Sequence, residues 1–482
     1  MVSMFALSIE NESTVDFFLE RLCSLDQDLT RHFDTKLIID RNLTRKIVSS
    51  QADKTRPKYR WYKYKEAFSS DLVEYVLGRY GVRSGTVLDP FAGIGTALFA
   101  SSALGFDADG IELLPVGQTI IEARQFASNR TNKQHLERMK WWVTNKPWET
   151  SKTPKEFSVL RISKGAYPEE TEMLIKKYLA CLESEQDEVA SLLLFAILCV
   201  LESVSYTRKD GQYLRWDYRS GRKGFGKKKF NKGPIAPFSR AICRKIEEIG
   251  FDLEKPDKEA SLFSSTNAKE SSGKIKLFRG SCLNVMPKLP ADYYSAIITS
   301  PPYCNRYDYT RTYALEHAIL GISDIENLHL RQSMISCTVE NREKDLLSIN
   351  PSWNNVIGVC DAFPLLSEIL SYLHAMKSNK ALNNNGIPRM VKGYFYEMAC
   401  VIQECFRVLR EGGMMFMVND NVRYAGASIP VDLMLSKIAE DIGFTIENIL
   451  FLPQAKGNSS QQMGVHGRDA LRKCVYVWRK SH

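Results

Sequence analysis

Thr86-Val-Leu-Asp-Pro-Phe-Ala-Gly-Ile-Gly-Thr96, with the helical run Ala97 to Leu104 behind it, decides the fold. A short apolar strand runs into a turn with glycines at 93 and 95 and then into a helix N-terminus. Glycine lets the backbone approach a ligand where a side chain would block it, so the segment reads as the first half of a nucleoside-binding α/β unit. The next stretch, Gly105-Phe-Asp-Ala-Asp-Gly-Ile-Glu112, reads as a turn, a strand and an acid at the strand's carboxyl end, where a carboxylate accepts hydrogen bonds from ribose hydroxyls. No lysine follows Gly95 and the turn opens with Asp89, so the pocket suits an uncharged or cationic nucleoside better than a triphosphate. S-adenosyl-L-methionine, with its sulfonium and amino groups, fits that description.

A second turn stands about two hundred residues later. The apolar run Ser295-Ala-Ile-Ile-Thr299 ends in Ser300-Pro-Pro-Tyr303. Two consecutive prolines cannot continue a ladder, so the chain leaves the sheet in a rigid extended turn. Alone, such a pair is most simply a turn. This one also presents the Ser300 hydroxyl and the carbonyls of Pro301 and Pro302 as acceptors beside the flat face of Tyr303, a seat for a planar group bearing an NH2.

Taken together, these residues resemble the S-adenosylmethionine-dependent DNA amino-methyltransferases, in particular the cytosine-N4 group of restriction-modification methylases. The resemblance rests on Asp89-Pro-Phe-Ala-Gly-Ile-Gly-Thr96, Glu112, Ser300-Pro-Pro-Tyr303 and the upstream Tyr62-Lys-Tyr-Lys-Glu-Ala-Phe-Ser69, and it extends to Asn305–Tyr313 and Arg407–Gly413. It implies a cofactor site of Tyr64, Phe68, Asp89, Pro90, Phe91, Gly93, Gly95, Thr96 and Glu112, and a catalytic turn of Ser300, Pro301, Pro302 and Tyr303. In that family an acid follows the glycine of the strand before the catalytic one; here Lys276-Leu-Phe-Arg-Gly280 continues with Ser281, which takes that place toward the adenine. The cofactor turn precedes the catalytic turn, whereas many cytosine-N4 enzymes run in the opposite order.

The chemistry implied is transfer of a methyl group to an exocyclic amine. The lone pair of cytosine N4 is delocalised into the ring until acceptors bind its hydrogens, a task for Ser300 Oγ and the Pro301 carbonyl. Tyr303 stacks on the base and orients it, so Tyr303→Phe is expected to be mild. Cys304 reads as a small packing residue and His317 as a packed histidine. Adenine N6 in DNA, an exocyclic amine in RNA, or a nucleic-acid-binding protein on an inactive methyltransferase fold are the alternatives.

A base inside a duplex cannot present its amine to a sulfonium, so the target nucleotide has to be extruded and the duplex held. The chain has 65 Lys and Arg against 56 Asp and Glu, a net charge of +9. Most of it lies between Arg208 and Lys232, where ten cations meet only Asp210 and Asp217, a local balance of 10 − 2 = +8. Arg208, Lys209, Arg215, Arg219, Arg222, Lys223, Lys227, Lys228 and Lys229 are the expected DNA contacts, mostly to phosphate, interleaved with aromatics in a glycine-rich loop.

The expected architecture is α/β: a doubly wound, mostly parallel, seven-stranded Rossmann-like methyltransferase sheet with helical and loop recognition inserts. A helical N-terminal extension (1–57) precedes a catalytic domain (58–126 and 271–482), interrupted by a target-recognition region (127–270) and a smaller insert (322–393). Strands are predicted at 86–89, 108–112, 275–278, 295–299, 414–419, 445–451 and 474–478, and helices at 95–104, 115–126, 394–409 and 430–442. Further helices are expected around 169–182 and 188–204. The thirteen-residue apolar run Val189–Leu201 is too short to span a bilayer. With no secretory pattern at the N-terminus and eleven scattered cysteines, the expected setting is a reducing cytoplasm, with the protein on the nucleoid of a prokaryote or encoded by a phage. Expected partners are double-stranded DNA and a cognate restriction endonuclease, with no metal, no membrane and a monomeric state.

Overall fold

A computed structural model describes residues 2–129, 131–210, 213–222, 229–254, 272–453 and 471–481. In chain order its strands are β1 Leu37–Ile39, β2 Thr86–Asp89, β3 Asp107–Glu112, β4 Thr207–Asp210, β5 Tyr213–Trp216, β6 Ile275–Arg279, β7 Tyr294–Thr299, β8 Leu409–Asp420, β9 Val422–Tyr424, β10 Ala427–Ile429, β11 Phe444–Phe451 and β12 Lys473–Lys480. Eight of them form one sheet in the order β1-β11-β12-β8-β7-β2-β3-β6. All its pairings are parallel except those of β12, which runs against both β11 and β8. The fold is the expected α/β one with an eighth strand at the edge. Three residues of β1 are too few to show a period in the sequence.

The chain winds outward in opposite directions from the β2–β7 pair. The connections leaving the carboxyl ends of those two strands therefore part in opposite directions over a crevice at the switch point, where open α/β sheets bind ligands. Alternate residues of the central strands face opposite cores. Ala296, Ile298, Met414 and Phe416 pack under helix Ser70–Arg79, whereas Ile297, Met415 and Met417 pack under helices Ile387–Val408 and Val431–Ile442. A sheet covered on both faces needs apolar residues at every position, and β2 and β7 are buried throughout.

Helix Ile387–Val408 begins seven residues before its expected start at 394, because Pro388 is tolerated in a first helical turn, where no intrahelical donor is lost. The 322–393 segment, polar and mixed in sequence, supplies Trp353, Leu365, Ile369 and Tyr372 to the same core. Helix Val2–His32 adds Leu22 and Leu29, and Arg21 meets Glu368 at 3.0 Å. The helices of 131–254 enclose Trp142, Trp148, Tyr178 and Phe238. This cluster is continuous with Ile94 of the glycine turn and with Leu114, Val116 and Ile120 beside it. Among the described residues no single helix is long and apolar enough to cross a membrane, and Val189–Leu201 lies inside a largely buried helix, Asp187–Val204.

Candidate active site

A cleft of about 780 Å³, open to solvent, lies at the carboxyl ends of β2, β3, β6 and β7. Tyr64, Phe68, Asp89, Pro90, Phe91, Gly93, Thr96, Glu112 and Ser281 line it, together with Ser300 and Pro302. Gly95, Pro301 and Tyr303 are not among the residues that line it. Gly93 and Gly95 have φ of +56° and +80°, a region costly for residues with a Cβ, so the turn itself requires glycine there.

Two carboxylates dominate the cleft. Asp89 accepts from the Phe91 N–H at 3.0 Å and from Thr299 Oγ1 at 2.6 Å, joining the ends of β2 and β7. Burial nevertheless pushes its pKa up to about 7. Glu112 accepts from the Gly93 N–H at 2.7 Å and from the Leu114 N–H at 2.6 Å, and burial pushes it up to about 8. Those two bonds occupy only part of a carboxylate's capacity for about four, which leaves acceptor positions for hydroxyls.

Gly117 on helix Pro115–Asn129 escaped the sequence reading. A Cβ there would stand 2.4 Å from the Gly93 carbonyl oxygen and 2.8 Å from Glu112 Cγ. Gly117→Ala is expected to displace both, at the cost of about 1–3 kcal/mol typical of overpacking. If all of it falls on the cleft, nucleoside affinity drops about 5- to 150-fold. Calorimetric titration with S-adenosylhomocysteine, beside a thermal melt of the free protein, separates this loss from unfolding.

Glu66 is a second residue the sequence did not single out. It lines the cleft and accepts from the hydroxyls of Tyr313, at 2.6 Å, and Tyr307. Tyr64 stacks on Tyr313 with ring centroids 5.3 Å apart. Ser281 Oγ donates to the Ser333 carbonyl at 2.9 Å, so this position brings no carboxylate, and residues 333–335 form the neighbouring wall. Only the tertiary fold brings Ser333 to β6.

The Ser300 hydroxyl lies 3.2 Å from both the Val418 carbonyl and the Tyr303 hydroxyl, so its proton has acceptors within the protein. The oxygen's lone pairs remain for an incoming donor. Cys304 is fully buried and its thiol is pushed up by burial, as befits a packing residue. His317 is also buried, with Nδ1 2.7 Å from Asn327 Oδ1.

The basic segment differs from a loose loop, because β4 and β5 pair as an antiparallel hairpin. Alternating Thr207, Lys209 and Leu214 face inward, which buries one of the cations. Lys209 donates to Glu316 Oε1 at 2.5 Å and to Tyr62 OH at 2.9 Å, so its charge is spent inside the protein and cannot reach a phosphate. Arg219 grips buried Asp217 through both carboxylate oxygens, at 2.7 and 2.9 Å. Arg222 stacks on Trp216 at 3.5 Å and donates to the carbonyls of Arg161, Ile162 and Lys164. Lys232 is held by the carbonyls of Glu202, Ser205 and Thr207. Arg208, Arg215 and Lys229 are exposed, Arg215 while paired to Asp210 at 3.0 Å. Lys223, Lys227 and Lys228 lie outside the described residues.

Over 469 residues, 96% of its length, the chain is 53% identical to the Type II methyltransferase M.AvaI of Nostoc sp. (strain PCC 7120), covering 95% of that protein. It is 39% identical over 461 residues to the Type II methyltransferase M.BsoBI of Geobacillus stearothermophilus, with 90% of this chain and 88% of the relative covered. The Type II methyltransferase M.MjaII of Methanocaldococcus jannaschii matches at 28% over 161 residues. No family model matches the chain, and no solved structure matches it significantly.

Proposed function

Since the chain belongs to the Type II methyltransferases, we propose that it transfers a methyl group from S-adenosyl-L-methionine to the exocyclic N4 of a cytosine flipped out of double-stranded DNA. The observation that carries this reading is the position of Ser300, just past the end of a central strand and on the wall of the cleft that Glu112 and the Gly93 turn share. Bound there, the cofactor supplies an electrophilic methyl on a sulfonium. Glu112 holds the ribose hydroxyls, and Tyr64, Phe68 and Phe91 enclose the remainder of the nucleoside. Ser300 Oγ and the Pro301 carbonyl accept the two amine hydrogens, which localises the nitrogen lone pair toward the methyl. As the N–CH3 bond forms and the C–S bond breaks, the nitrogen becomes cationic and releases one proton. Tyr303 stacks on the base.

The 127–270 region with its hairpin forms, in this reading, the DNA-gripping side, with Arg208, Arg215 and Lys229 as phosphate contacts. A restriction endonuclease of the same specificity is the proposed counterpart, and the protein acts as a monomer. The test is incubation with labelled S-adenosyl-L-methionine and duplex DNA, followed by digestion and mass spectrometry. N4-methyldeoxycytidine is the expected product. N6-methyldeoxyadenosine would move the target to adenine, and cofactor binding without transfer would remove the enzymatic reading.

A pH signature accompanies it. The carboxylate that receives ribose hydroxyls is ionised, while free Glu112 titrates at about 8. Its pKa is thus lowered on binding, so cofactor affinity rises with pH up to about 8 and falls below it. At pH 7, calorimetry in buffers of different ionisation enthalpy should count up to about one proton released from this group. Glu112→Gln should abolish that contribution.

A further inference from the structure

β8 and β12 are neighbours in the sheet, and their register sets Lys473 directly across from Asp420, at the same end of the sheet as Ser300. The Lys473 ammonium lies beside the Tyr303 phenol, 5.7 Å from its ring centroid. It is also 3.7 Å from Asp420 Oδ1, which is buried and makes no hydrogen bond of its own. Tyr303 OH in turn lies 3.2 Å from Ser300 Oγ. Four polar side chains from two strand ends and the proline turn thus form one line: Asp420, Lys473, Tyr303, Ser300.

We propose that Lys473 and Asp420 are a positioning pair for methyl transfer, acting through the Tyr303 hydroxyl to fix the orientation of Ser300. The inference rests on the reading of Ser300 as the amine acceptor. The positive charge beside the phenol orients its oxygen lone pairs inward, so that the phenol oxygen accepts the Ser300 proton. Both lone pairs of Ser300 Oγ then face outward for the amine. Asp420 balances the ammonium, which would otherwise oppose the positive charge that develops on the substrate nitrogen. Tyr303 is accordingly more than a stacking plane, and its hydroxyl matters to the rate.

The test is single-turnover methyl transfer by Tyr303→Phe, Lys473→Met, Lys473→Arg and the Tyr303→Phe/Lys473→Met double variant, with cofactor and DNA dissociation constants measured alongside. The phenol and the ammonium are expected to be worth about tenfold or more in rate each, the scale of a hydrogen bond to a charged group. The double variant should be no slower than the slower single one, Lys473→Arg should recover part of the rate, and cofactor affinity should hold in all four. Multiplied losses in the double variant would overturn the proposal. So would a Lys473→Met defect confined to DNA affinity with a shallower salt dependence, the mark of a phosphate contact. If Ser300→Ala abolishes transfer while Tyr303→Phe and Lys473→Met retain it, the amine-acceptor reading survives and this inference falls. If the wild-type protein methylates no base, the functional reading itself is the one that fails.

Discussion

Replacing Ser300 by alanine should lower the single-turnover rate of methyl transfer by about 10²- to 10³-fold, or about 2.7–4 kcal/mol of barrier, the loss seen when one preorganised polar partner of a developing charge is removed. In the proposed reading the loss falls on chemistry, because there Ser300 accepts from the amine while Glu112, Asp89 and the Gly93 turn, held by their own hydrogen bonds, stay in place. Cofactor affinity should therefore remain within about twofold of wild type. Equilibrium binding of S-adenosylhomocysteine and a rapid-quench assay on duplex DNA together decide the matter. A parallel fall in affinity would make the turn a cofactor wall and nothing more.

The second large effect concerns stability. Lys209 and Glu316 are 7% and 1% exposed at their side chains and meet at 2.5 Å. Lys209→Met leaves a buried carboxylate without its cation, a change that costs about 3–5 kcal/mol when one member of such a pair is removed. A clearly lower denaturation midpoint is expected, with the salt dependence of DNA binding unchanged. The Lys209→Met/Glu316→Gln variant should recover much of the stability, because no bare charge is then left inside. A shallower salt slope with unchanged stability would instead return Lys209 to the DNA surface. The comparison matters because sequence composition alone counts this lysine among the phosphate contacts.

That example shows where local sequence stops informing. β2 and β7 were legible because each is a short apolar run ending in a turn signal, and β3 because Gly105 precedes it and an acid closes it; Asp89, Glu112 and Ser300 follow from position at a strand end. Lys209 reads as one more cation, since its partner Glu316 lies 107 residues away. Lys473 and Asp420 were invisible for a similar reason. They meet only because β12 is inserted antiparallel beside β8, a choice of register made by the whole sheet. Gly117 carried no signal either, because one glycine in an amphipathic helix looks like a tolerated weakness rather than a close contact with Gly93. Glu66 needed the hydroxyls of Tyr307 and Tyr313, which reach it from more than 240 residues away.

The apolar cluster of the 131–254 helices does not stop at the edge of that block; it runs into Ile94, Leu114, Val116 and Ile120 around the glycine turn. Such a segment cannot be exchanged like a cassette between related proteins. A transplanted version would have to reproduce the packing that props up the glycine turn, or lose the shape of the cleft. If the insert grips DNA as proposed, new target preferences should arise by substitution on its exposed loops, with its buried face held nearly constant. Chimaeras joined at residues 130 and 255 should succeed only when both parents share that face.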